Sequence, residues 1–113
     1  QRLLLFLFVY DNTFLYYLDD DNLIHPNLYF LLDIIDKDHI YSFNQMDRIK
    51  GGRLEFGKID TAMFLIDNNL CKGLKWDRKN YNADGVYIEE CGRRNPGKHI
   101  YVDNDLCFYN KLV

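Results

Sequence analysis

Asp19, Asp20 and Asp21 stand in a row, four residues before His25, and carboxylates beside an imidazole are the donors a hard divalent cation takes. A second such grouping is Asp84 with Glu89. Either could serve a small metal-dependent enzyme. Neither sits in a partner motif, and adjacent acids in a loop are more often simply solvated. The histidines His25, His39 and His99 are scattered, each beside a turn or an element end. Ser42 is the only serine and lies in no nucleophile motif. Gly51-Gly52 lacks the Lys-Ser/Thr that completes a phosphate-binding loop. The residues therefore assign no catalytic group, no cofactor and no metal site.

Two short stretches resemble known sites. Tyr17-Leu18-Asp19-Asp20 resembles the Tyr-x-Asp-Asp signature of reverse transcriptases, in which a hairpin presents two carboxylates to paired magnesium ions. The likeness covers four residues, and Asp21-Asn22 stand where that family resumes an apolar strand. Asn80-Tyr81-Asn82-Ala83-Asp84-Gly85 resembles the first half of an EF-hand calcium loop, with oxygen donors at alternate positions before a turn glycine. In that frame Cys91 occupies the position of the bidentate Glu, and Asn80 replaces the first Asp. The alternative is an Asp-Gly turn feeding a strand.

Charge and composition narrow the partners. A net charge of −3 argues against generic nucleic-acid binding, which needs a basic face. The nearest thing to a basic patch is Arg93, Arg94, Lys98 and His99 around one turn, a candidate interaction loop. Nine Tyr and eight Phe raise the aromatic content to 16%, which suits pleated, half-buried surface and enriches the residues found where proteins meet. Glu55, Glu89 and Glu90 are the only glutamates among 17 acidic residues; Asp favours turns over helix interiors, so the negative charge belongs mostly to turns. A chain rich in Asn, Asp, Lys, Ile, Tyr and Phe and poor in Ala suggests AT-rich coding, as in many viruses, parasites and some bacteria. Of Cys71, Cys91 and Cys107, the last two fall on neighbouring predicted strands and form a candidate disulfide; three reduced core cysteines are the other reading.

The elements follow from apolar runs and the turns between them. The triplet Asp-Asn-x interrupts apolar stretches at Asp11-Asn12-Thr13, Asp67-Asn68-Asn69 and Asp103-Asn104-Asp105, and each predicts a tight reversal, since Asp and Asn tolerate left-handed backbone. Leu3 to Tyr10 pairs with Thr13 to Leu18 as a buried hairpin, or else belongs to a membrane anchor or a processed leader that begins upstream. Pro26 opens a helix over about 26–38, with Leu28, Leu31, Leu32 and Ile35 at helical spacing. Ile40 to Phe43 predicts a short strand. Beyond Gly51-Gly52 the chain reads as strands at 53–59, 62–66, 70–76, 86–91, 99–102 and 106–112. The fold expected is α+β: one short helix packed on an antiparallel sheet built from tight hairpins. It is one domain over 1–113, with an N-terminal part over 1–50 and a β-rich part over 51–113.

The function expected is a non-catalytic structural or protein-interaction module within a larger assembly, its partners being other protein subunits. The docking surfaces expected are the strands between Gly51 and Trp76 and the loop from Arg93 to His99. The alternatives are an N-terminally membrane-anchored subunit of an envelope complex, a viral envelope being one natural home, and then the small metal-dependent enzyme.

Overall fold

The computed structural model describes residues 2–9, 12–19, 22–74 and 83–109. Strands β1 (Arg2–Val9) and β2 (Asn12–Asp19) pair antiparallel, with Val9 opposite Asn12 and Leu3 opposite Leu18. This is the expected N-terminal hairpin, shifted by a residue at each end. Helix α1 (Leu28–Leu32) lies inside the predicted 26–38 span and buries Leu28 and Leu31. It runs only five residues, because Asp33 caps it and no cation neutralises its last turn. Strand β3 (Ile40–Gln45) is buried along its length, and β4 (Phe64–Asp67) pairs antiparallel with both β2 and β3. Helix α2 (Ala83–Arg94) then carries the chain across to β5 (His99–Cys107), which runs parallel to β3. The sheet order is β1-β2-β4-β3-β5, so β1 and β5 are its edges. The protein is an α+β fold with a largely antiparallel sheet.

Helices cover both faces of the sheet. Register places Phe14, Asp67, Leu65 and Tyr41 on one face, where Tyr41 Oη accepts the Asp36 amide that follows α1 (2.7 Å). The other face carries Tyr17, whose hydroxyl donates to Tyr87 of α2 at 3.2 Å. Between the layers the core includes Tyr16, Phe43, Phe64, Leu65, Ile66 and Ile88, all essentially inaccessible.

Several predicted elements are corrected. Residues 86–91 were expected as a strand because Val, Tyr and Ile favour one. They instead lie in α2, where Tyr87, Ile88 and Cys91 fall on one buried stripe and Glu90 pairs with Arg93 and Arg94 one turn on. Gly85 and Gly92, two turns apart, let the helix approach the 54–57 segment: a Cβ at Gly85 would sit 3.2 Å from Phe56 Cα, and one at Gly92 3.1 Å from Leu54 Cδ1. Residues 53–59 form no strand, since they wrap this helix surface. Only the first Asp-Asn triplet lies at a strand reversal, and Asp11 itself falls outside the described residues. The second caps a 3₁₀ turn, Asn68–Leu70, through the Asp67 side chain. The third lies inside β5, in an irregular stretch opposite Phe43 and Asn44. The turn at Asn95-Pro96-Gly97 forms as expected: Lys98 N–H donates to Asn95 O, and Gly97 takes φ 77°.

No helix among the described residues is long and apolar enough to cross a membrane. The apolar run from Leu3 to Val9 forms the outer strand β1.

Candidate protein-interaction edge

Strand β5 has one side on β3 and one side open. Ile40 N–H donates to Lys98 O at 2.9 Å, which turns the main-chain groups of Lys98 toward β3. Main-chain groups alternate along a strand, so Ile100 and Val102 also face β3 while His99 and Tyr101 present theirs outward. Among the described residues nothing pairs with that outer side until Cys107, where Ile24 forms an isolated bridge. Ile100 and Tyr101, near the start of the strand, are more than a third exposed.

A polar network braces this edge. Tyr101 Oη lies 2.6 Å from Asn44 Oδ1 and 3.0 Å from Asp103 Oδ1, and its single proton serves one at a time. Asn44 Nδ2 donates to Asp103 Oδ1 at 2.8 Å, and Gly51 N–H donates to Asn44 Oδ1 at 3.2 Å. The hydrogen bonds from Asn44 and Tyr101, with Lys50 3.8 Å away, hold the Asp103 carboxyl below its ordinary range. Asp103 is thus ionised, and its side chain fixes Tyr101 against the sheet.

The residues named in the candidate loop are brought to one end of this strand. Arg93 and Arg94 close α2, both in ion pairs with Glu90, and Lys98 and His99 open β5. Arg93, Arg94 and Lys98 are exposed. His99 is different, since it packs half-buried with Nε2 2.6 Å from Ser42 Oγ. This Ser-His contact, 57 residues apart in sequence, had no local signal. It is not a nucleophile and its base: the Ser42 hydroxyl donates to Gly51 O at 2.5 Å, so its one proton is taken and His99 Nε2–H must be the donor. Burial lowers the His99 pKa, in keeping with a neutral ring. Ser42 has no accessible surface, which closes it to any substrate.

The remaining sequence candidates are placed as follows. His25 is buried against the Phe108 ring at 4.5 Å, and Nδ1 accepts the Asn27 amide. Asp20 and Asp21 lie outside the described residues, as do Asn80 to Asn82 of the calcium-loop likeness. Glu89 Oε2 accepts the Phe56 amide at 2.9 Å. Among the described residues no group of three His, Cys, Asp or Glu side chains is placed to hold a metal ion. Tyr17 of the Tyr-x-Asp-Asp stretch points between sheet and α2, against Phe64 and Tyr87.

All three cysteines are free and buried. The candidate disulfide between Cys91 and Cys107 is not formed here: Cys91 is on α2 rather than on a strand beside β5. Its Sγ is directed at Leu70 O, whereas Cys107 Sγ is directed at Asn44 O. Burial pushes the thiols of Cys91 and Cys107 up to about 12, which disfavours their thiolates.

No family model matches the chain, and no curated protein or solved structure matches it.

Proposed function

We propose that the protein is a non-catalytic structural or protein-interaction module of a larger assembly, docking another protein subunit along the open edge of β5. The observation that carries this reading is the outward main chain of His99 and Tyr101, flanked by exposed Ile100 and by the basic end formed by Arg93, Arg94 and Lys98. A strand that offers unpaired N–H and C=O groups can accept an extended segment of a partner, with side chains supplying selectivity. The network through Asn44, Asp103 and Ser42 holds that strand in place before docking, which lowers the ordering cost of binding.

Tyr101→Pro tests this directly. Proline removes an amide that points away from β3, where an edge strand tolerates it. The variant is expected to keep the parent's circular dichroism and to lose incorporation into the native assembly. Phe30→Ser, on the exposed outer side of α1, is expected to leave incorporation unchanged. Full incorporation of folded Tyr101→Pro would overturn the assignment of β5.

A further inference from the structure

The edge of β5 is complementary to itself. Its outward groups belong to His99 and Tyr101, its apolar side chains to Ile100 and Val102, its cation to Lys98 and its anions to Asp103 and Asp105. Resting on the edge reading above, we propose that the partner strand is β5 of a second copy, paired antiparallel about a two-fold axis through Tyr101.

Outward groups stay paired only when the register moves in steps of two residues, and side chains choose among the nearest three such registers. With Tyr101 opposite its own counterpart, Ile100 of one copy meets Val102 of the other, and Val102 meets Ile100. These apolar pairs fall on the non-hydrogen-bonded positions, where cross-strand side chains are closest. Lys98 then runs toward the acidic stretch Asp103–Asp105 of the second copy, where β5 leaves its regular register, so each basic end lies beside an acidic end. Moving the register by two residues one way pairs Val102 with Val102 but leaves Ile100 of each copy against the polar, irregular Asp103–Asp105 stretch. Moving it the other way pairs Ile100 with Ile100 but sets Val102 of each copy against Lys98, keeping one apolar pair where the Tyr101 register keeps two. A parallel arrangement would bring Lys98 beside Lys98 and Asp103 beside Asp103, a repulsive pairing at both ends. The two-fold contact is isologous and closes on itself, joining two five-stranded sheets into one without leaving β5 open for further addition.

Exposed charge on β5 fits this reading. A bare apolar edge would accept any extended segment, whereas Lys98 and the two aspartates discourage strands without the opposite pattern.

Sedimentation equilibrium from low micromolar to near-millimolar protein, together with cysteine cross-linking, tests the proposal. The wild-type chain is expected to double its mass as concentration rises, and Tyr101→Pro to remain monomeric. The double variant Ile100→Cys/Val102→Cys sets two thiol pairs across the axis at a spacing that disulfides accept. Oxidised glutathione is expected to convert it to a covalent dimer, while the native thiols stay buried and free. A wild-type chain that stays monomeric throughout would overturn the self-pairing, as would a dimer that survives Tyr101→Pro or gives no cross-link. If the chain is monomeric and yet Tyr101→Pro fails to enter the native assembly, the edge docks a different subunit and only the identity of the partner is wrong. If Tyr101→Pro assembles normally, the edge reading itself fails.

Discussion

Gly51→Ala should lower the free energy of unfolding by about 3 kcal/mol, measured by urea denaturation, because there is no room for the added methyl. A Cβ on Gly51 would lie 2.3 Å from the carbonyl oxygen of Phe43, which belongs to the central strand β3 and cannot rotate aside. The neighbouring Gly52 is the control: a Cβ there meets only the Tyr101 ring at 3.7 Å, ordinary contact, and Gly52→Ala should be nearly neutral. The consequence of Gly51→Ala reaches the functional edge. Gly51 O accepts from Ser42, and Gly51 N–H donates to Asn44, the two residues that hold His99 and Tyr101. Displacing Gly51 therefore loosens β5 as well as destabilising the domain, and the same variant should dock its partner more weakly.

Asp67→Ala should cost a comparable amount, about 2–4 kcal/mol, read as a shift in the same denaturation midpoint. The Asp67 side chain is wholly buried, and both carboxylate oxygens are occupied. Oδ2 accepts the Asp38 amide at 2.6 Å, and Oδ1 accepts the Asn69 amide at 2.9 Å. The first bond holds Asp38 in left-handed backbone at φ 62°, which a non-glycine residue adopts only under constraint. The second caps the 3₁₀ turn that leads into Cys71. Alanine leaves two main-chain donors without acceptors and frees the Asp38 turn. Asp67→Asn keeps one acceptor oxygen and should lose less than alanine does, which separates the hydrogen bonds from side-chain volume.

Local signals made the hairpin, α1 and the Asn95-Gly97 turn legible in the sequence, because each rests on contacts between near neighbours; β3, whose partners β4 and β5 are distant, was legible from its strand-favouring Ile40, Tyr41 and Phe43. Helix α2 was not, because Val86, Tyr87 and Ile88 favour strands by side-chain type, and their helical spacing shows only when Gly85, Gly92 and the Glu90–Arg94 pair are read with them. The Asp-Asn triplets misled for a related reason. A short polar side chain that can bond its own backbone can reverse a strand, cap a helix or rim an exposed edge, and only the tertiary surroundings select among these. The candidate loop Arg93, Arg94, Lys98 and His99 was found by charge. The edge beside it was not, since a parallel partner arrives through a crossover and leaves no mark in the residues between. The braces on that edge, Ser42 with His99 and Asn44 with Asp103, each span more than fifty residues.

The most direct measurement is amide hydrogen exchange at His99 and Tyr101, resolved by residue, in the protein taken within its native assembly and again after dilution to the free chain. Both N–H groups point away from β3, so in the free chain nothing among the described residues shields them. Strong protection in the assembly, lost on release, is the expected result. Equal and rapid exchange in both states would mean that no strand covers β5, and the interaction edge would have to be sought elsewhere on the molecule.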